Sequence, residues 1–137
     1  MTMRSNDHLG EEHYDYSRQP AIRTIAMPAD TNPAGDIFGG WLMAQMDLAA
    51  GNAAALHARR RCVTVAVEAI TFHNSVKVGD EVTVFADLIK RGRTSMHFKV
   101  QAWRRRRDEI EHQMVTQAVF VFVALNPDGK PTALLPE

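Results

Sequence analysis

The sequence predicts an α+β fold, one long central helix wrapped by a curved antiparallel sheet of about five strands, and three observations predict it. A single stretch, from about Gly40 to Ala58, has helix composition, with Leu, Met, Gln and many Ala. Five other stretches are rich in Val, Thr, Ile and Phe. The links between the last four are too short for crossover helices, so they close antiparallel hairpins.

In chain order, residues 1–20 (MTMRSNDHLGEEHYDYSRQP) are polar and lack helical or strand periodicity. They read as a flexible tail or as an arm on a partner subunit, Tyr14 and Tyr16 being the argument for an arm. Residues 21–137 form a single domain. "IRTIAM" (22–27) is a short strand, and "PADTNPAGDIFGG" is loop and turn chemistry that delivers the chain into the helix. Strands follow at 62–72, 81–89, 95–103 and 114–125. In the third of these Met96, Phe98, Val100 and Ala102 alternate with His97, Lys99, Gln101 and Trp103, the period of a half-buried strand. The helix itself is apolar nearly all round. The sheet must therefore curl about it or a second subunit must close the exposed side, and both are expected.

The bulk numbers exclude several classes. With 137 residues and 45% apolar composition the chain can build one core without staples. Lys plus Arg and Asp plus Glu are 16 each, so no net charge draws it to nucleic acid or to an anionic membrane. Residues 37–57 approach the length of a membrane span, but Gln45, Asp47 and Asn52 would lie near the bilayer centre, which rules against insertion. One cysteine, Cys62, allows no internal disulfide, and the chain opens without a leader pattern, so a cytoplasmic protein is expected. His57 and His73 have no Cys or carboxylate at ligand spacing, and no metal is expected.

Asp47 is the one acidic residue between Asp36 and Glu68. Within about 60° of it around the helix lie Gly40, Met43, Ala44, Ala50, Gly51 and Ala54, a mostly small-residue stripe that another surface or an extended ligand can approach closely. A buried carboxylate needs a partner or a task. It either hydrogen-bonds a neighbour and fixes the helix, or acts as base or nucleophile in a dry cleft. Gly39 and Gly40 open the helix, and unobstructed first-turn amides can hold a developing oxyanion. Base plus oxyanion site suggests acyl transfer. At ~1.5 Å per residue, however, Gly40 stands about 10 Å from Asp47 along the axis, so the two roles must come from different chains. Two helices packed antiparallel about a two-fold axis would make two composite sites.

At this point the stretches "RTIAMPADTNPAGDIFGGWLMAQMD", "VTVAVEAITF", "VGDEV" and "VFVALNPDGKP" closely resemble the YciA-type acyl-CoA thioesterases of the hotdog superfamily, over roughly residues 22–136. The resemblance implies a helix wrapped by an antiparallel sheet, a homodimer as the catalytic unit assembling to a hexamer (a trimer of dimers), and hydrolysis of acyl-CoA to free acid and CoA without a cofactor. It places the family's catalytic aspartate on Asp47 and its carbonyl-polarising glycine amide on Gly40. Relatives usually carry a proline where this chain has Ser75. Hotdog hydratases use an Asp-x4-His pair; here Asp36 is followed at that spacing by Trp41 and Asp47 by Asn52, which argues against hydration.

The "KRGRTS" hairpin, Lys90, Arg91, Arg93, Thr94 and Ser95, suits the phosphates of CoA, while Arg104 to Arg107 read as a solvated loop. Asn32 is expected to make a turn and Asp36 to cap the helix, with the orienting of water or substrate as the alternative role of either. Phe38, Trp41, Met43, Met46 and Phe72 serve equally as acyl-pocket walls or as core. A non-catalytic hotdog that binds or senses acyl-CoA is the alternative function, though residues 1–20 offer no DNA-binding pattern.

Overall fold

The computed structural model describes residues 13–136. Its elements are β1 (Ile22–Ile25), a 3-10 turn (Pro28–Asp30), α1 (Gly39–Ala58), β2 (Cys62–Phe72), β3 (Glu81–Arg91), β4 (Ser95–Arg105) and β5 (His112–Ala124). The five strands form one antiparallel sheet in the order β1-β3-β4-β5-β2. β1 and β2 are neighbours in sequence but lie at opposite edges, so the 20-residue helix between them crosses the whole face of the sheet. The expected element order is the observed one. Strand and helix ends differ from expectation by at most two residues.

The core lies between helix and sheet. Leu42, Met46, Ala49, Ala50, Ala54 and Ala58 of α1 pack on Val84, Met96, Phe98, Val100, Phe120 and Phe122. Gly51 lets the helix come down on Phe122, where an added Cβ would meet the ring at 3.5 Å. The small-residue stripe is thus corrected in part: Ala50, Gly51 and Ala54 serve the chain's own sheet, while Gly40 and Ala44 stay open. Arg59 ends the helix in the left-handed region (φ 55°), its N–H donating to Ala55 O at 2.8 Å. The opposite side of α1 is uncovered, with Leu48 62% and Leu56 73% exposed.

The outer face of the sheet carries a smaller apolar cluster of Phe85, Trp103 and Met114, and the segment before β1 closes over it. Tyr14 packs on Phe85 and Trp103 and stacks on His112 with ring centroids 3.6 Å apart. Arg18 lies over the Phe85 ring at 4.4 Å and pairs with Asp87. Tyr16 donates to Ile110 O at 3.0 Å. Residues 1–12 of the expected tail lie outside the described residues, but the two tyrosines pack on this chain's own sheet.

β2 is the irregular strand. Its pairing with β5 shifts register between Thr64 and Ala66 and again between Glu68 and Thr71, and Ala69 has φ 53°. Such bulges turn a strand and re-aim its side chains. Here they leave Cys62 and Thr64 toward the helix and carry Phe72 over the helix start.

Burial pushes the His112 imidazole below its ordinary value; Glu81 opposes this, while Arg105 and Arg23 add to it. The fold holds the neutral ring, so the stability it carries is present above about pH 6.5. That stability is lost as pH falls through this value toward the lowered one, because the unfolded chain takes the proton first. We expect the melting temperature of the wild type to drop more steeply between about pH 7 and pH 5 than that of His112→Phe, which keeps the stacking and binds no proton, by on the order of a few degrees. Parallel curves would remove His112 as the cause.

Candidate active site

Asp47 sits at the midpoint of α1, on the border between the side packed on the sheet and the open side, and is half-buried. Thr64 of β2 donates its hydroxyl to Asp47 Oδ1 at 2.6 Å. Thr64 escaped the sequence reading. Its signal was its place in the alternation of β2, where Val63, Val65 and Val67 face away from the helix and Cys62 and Thr64 face toward it, leaving one hydroxyl among small groups. A hydroxyl donated to one carboxylate oxygen orients the group while the second oxygen stays available.

The helix start is built by the loop before it. Asn32 makes the expected turn, its Oδ1 accepting from Ala34 N at 3.0 Å and Asp36 N at 3.1 Å. Asp36 does not cap. The residue preceding the helix is Phe38, without a side-chain cap, and the Asp36 carboxylate pairs with Lys77 instead. The first-turn amides of Gly39, Gly40 and Trp41 therefore lack both intrahelical acceptors and a capping oxygen. Nothing within 4 Å would meet a Cβ at Gly40, whereas one at Gly39 would reach the Phe72 ring at 3.4 Å.

Beside these amides opens a pocket of about 180 Å³, lined by Phe38, Gly39, Leu42, Phe72, Val76 and Val115 together with Ile37, Asn74 and Ser75. Its rim is aromatic, Phe38 and Phe72 each being 46% exposed. Of the five residues expected as pocket walls or core, Phe38 and Phe72 come together on this pocket. Trp41 packs against the main core and Met46 is fully buried in it, and Met43, half-buried a turn before Asp47, does not line this pocket.

The basic hairpin lies elsewhere. Arg91 donates to Leu135 O, Leu134 N donates to Arg93 O at 2.8 Å, and Ala124 N donates to Thr94 O at 3.0 Å, which ties the hairpin to the C-terminal segment. Gly92 N donates to Ser95 O at 2.8 Å to close the turn, and Lys90 and Arg93 project to solvent. A wider pocket of about 440 Å³, lined by Leu56, His57, Arg59, Leu135 and Pro136, lies at this C-terminal end of α1.

The reading of Arg104 to Arg107 as solvated loop is corrected for its first members. Arg104 and Arg105 belong to β4, and Arg104 is only 8% exposed, its Nε donating to Ser75 O and its Nη2 to Gln113 Oε1, both at 2.7 Å. Arg106 pairs with the buried Asp80. A run of arginines looks solvated in sequence because strand register, which alternates the residues inward, is invisible there.

A long helix clasped by one five-stranded antiparallel sheet, crossing it from edge to edge, defines a hotdog-type protein. The model of the Thioesterase superfamily matches residues 34–111. A protein of Zymomonas mobilis described as an uncharacterized acyl-CoA thioester hydrolase is 52% identical over 118 residues, 86% of this chain and 79% of its own length. The acyl-CoA thioester hydrolase YciA of Salmonella typhimurium is 47% identical over 116 residues, 82% of this chain and 87% of its own. Among solved structures, the hexameric thioesterase of Yersinia pestis superposes with a TM-score of 0.84 at 42% identity, covering 88% of this chain and 98% of that one. A hexameric broad-specificity acyl-coenzyme A thioesterase, solved as an aspartate-to-alanine mutant, gives 0.83 at 41% identity over 87% of this chain and 88% of that one. The chain belongs to the thioesterase superfamily, with the YciA-type proteins.

Because a Cβ at Gly40 meets nothing and glycine is a poor helix former, Gly40→Ala should melt at or above the wild-type temperature, by up to ~1 kcal/mol of added stability. A clear fall in a calorimetric scan would show that the first turn is tighter than described.

Proposed function

We propose that the chain is an acyl-CoA thioester hydrolase that cleaves acyl-CoA to a free carboxylic acid and CoA, with Asp47 and Gly40 at the thioester. The observation that carries the assignment is the half-buried Asp47 carboxylate, held through one oxygen by Thr64 on a helix whose first-turn amides are open. The relatives' names and the solved neighbours support the same activity.

In this reading the acyl chain enters the pocket beside Gly39, under Phe38 and Phe72, and the Gly40 N–H polarises the thioester carbonyl. Asp47 either takes a proton from the attacking water or attacks the carbonyl itself to form a mixed anhydride. A thiolate is a far better leaving group than an alkoxide, so CoA leaves without a protonating acid. The reaction thus needs neither metal nor organic cofactor. Lys90 and Arg93, with Thr94 and Ser95 beside them and Arg91 held in the same hairpin, offer charge to the CoA phosphates. Asn32 and Asp36 act through the loop that sets the helix start.

One chain cannot supply both groups, since they lie about 10 Å apart along the helix. The open edge of β2 supports a second copy: Val63 is 42%, Val65 55% and Val67 36% exposed, and Leu48 lies uncovered on the helix. An apolar edge strand of this length invites pairing with another chain. A two-fold dimer then makes two composite sites, and assembly of three dimers to a hexamer accords with the hexameric neighbours. Among the described residues no helix is long and apolar enough to cross a membrane; in this reading the chain works in the cytoplasm on a water-soluble thioester.

The purified protein should release free thiol from a panel of acyl-CoAs, and Asp47→Asn should reduce turnover at least ~100-fold while still binding CoA. Wild-type protein that binds acyl-CoA and never releases thiol would instead be a sensor. Gly40→Pro deletes one amide in the first helical turn, where proline is tolerated, and should be inactive alone. Refolding Asp47→Asn and Gly40→Pro chains together should recover about a quarter of wild-type activity, because half the dimers are mixed and each carries one intact site. No recovery would place both groups on one chain. Replacing Lys90 and Arg93 together by Ala should raise KM about tenfold with kcat held; an unchanged KM would move the phosphate site elsewhere.

A further inference from the structure

We propose that Arg104 is a positioning residue for the acyl pocket: its buried guanidinium pins one wall of the pocket and so sets the length of acyl chain accepted. This rests on the reading of that pocket as the acyl site. The pocket of about 180 Å³ is small beside a long acyl chain, provided its walls do not yield.

One wall is the segment Phe72–Val76, which has just left a bulged strand and has few ties to the sheet. His73 N donates to Val115 O and Asn74 Nδ2 to Met114 O, each at 2.7 Å, and these secure its first half. Its second half is held from below by Arg104 Nε, which donates to Ser75 O at 2.7 Å. The next residue, Val76, passes the restraint on: its carbonyl accepts from Ile37 N at 3.1 Å, in the loop that delivers Phe38 and Gly39 to the helix start. The wall and the amide that faces the thioester therefore share one anchor.

The anchor is built at a cost that an incidental arginine would not bear. Arg104 is 8% exposed and its other hydrogen-bond partner is the neutral Gln113 amide; Asp80 and Glu109 attract it from beyond ion-pair distance, Asp80 being paired with Arg106, and burial outweighs them. A desolvated cation demands acceptors, and a charge-assisted bond to a backbone carbonyl is stronger and more directional than a neutral one.

The test compares wild type, Arg104→Met, Arg104→Lys and Gln113→Met with acyl-CoAs from acetyl to palmitoyl, alongside hydrogen exchange at the Ile37 and His73 amides. The wild type should peak on short chains. Arg104→Met should lose about tenfold or more of kcat/KM on those chains, flatten the length profile and exchange faster at Ile37 than at His73, with Arg104→Lys partly restoring all three. A variant profile that is the wild-type profile scaled by one factor, or Ile37 exchange that does not change, overturns the proposal. Should Arg104→Met fail to fold, Gln113→Met frees the same guanidinium from its second partner and is read in the same way. A wild type that releases no thiol from any acyl-CoA refutes the thioesterase reading; the exchange measurement then decides the anchoring by itself.

Discussion

The chain leaves the sheet at one edge and re-enters it at the other, and everything else follows from that detour. A strand at the β1 edge and a strand at the β2 edge can be joined only by an element that crosses three intervening strands, and α1 is that element. Crossing the face buries one side of the helix on Phe98, Phe120 and Phe122 and leaves the other bare. Asp47 falls on the line between the two, near enough to β2 for Thr64 to reach it and open enough to meet something further. One residue along, Leu48 lies wholly on the open side of the helix; one residue back, at Met46, a carboxylate would be sealed in the core.

Electrostatics follows the same geometry. Equal numbers of acidic and basic residues conceal a segregated arrangement. Arg23, Glu81, Arg105 and His112 gather on the outer face. Asp80 and Arg106 pair beside the β2–β3 connection. The concave side holds Asp47 with a hydroxyl for company. A single carboxylate in such surroundings is not neutralised by a neighbouring ion pair, which leaves it free for a role toward a bound molecule.

How much of this was legible in the sequence depends on the range of the interaction. Period-2 alternation and helix composition are local, so the strands, the helix and their order could be read directly. The glycine pair, the lone carboxylate and the turn made by Asn32 are local as well. Thr64 could not be paired with Asp47 because the contact spans 17 residues and depends on which face of a bulged strand the hydroxyl takes. Arg104 looked like a loop charge for a similar reason: its acceptor, the Ser75 carbonyl, lies 29 residues away and carries no side-chain signature. Asp36 has the chemistry of a cap, yet the helix starts behind Phe38, two residues further on, and the carboxylate pairs with Lys77 instead. The small-residue stripe was ambiguous in principle, since close approach by the chain's own Phe122 and by a foreign surface ask for the same residues.

The edge strand β2 has a consequence for the newborn chain. Its eleven residues, CVTVAVEAITF, contain one charge, Glu68, and neither lysine nor proline to discourage unwanted partners. Left uncovered, such a valine-rich flank is ready for any extended backbone it meets, from the moment a ribosome releases the chain. Prompt covering of that flank is then a condition of staying dissolved, and whatever reaches it first decides whether it becomes a seam or a seed for precipitate.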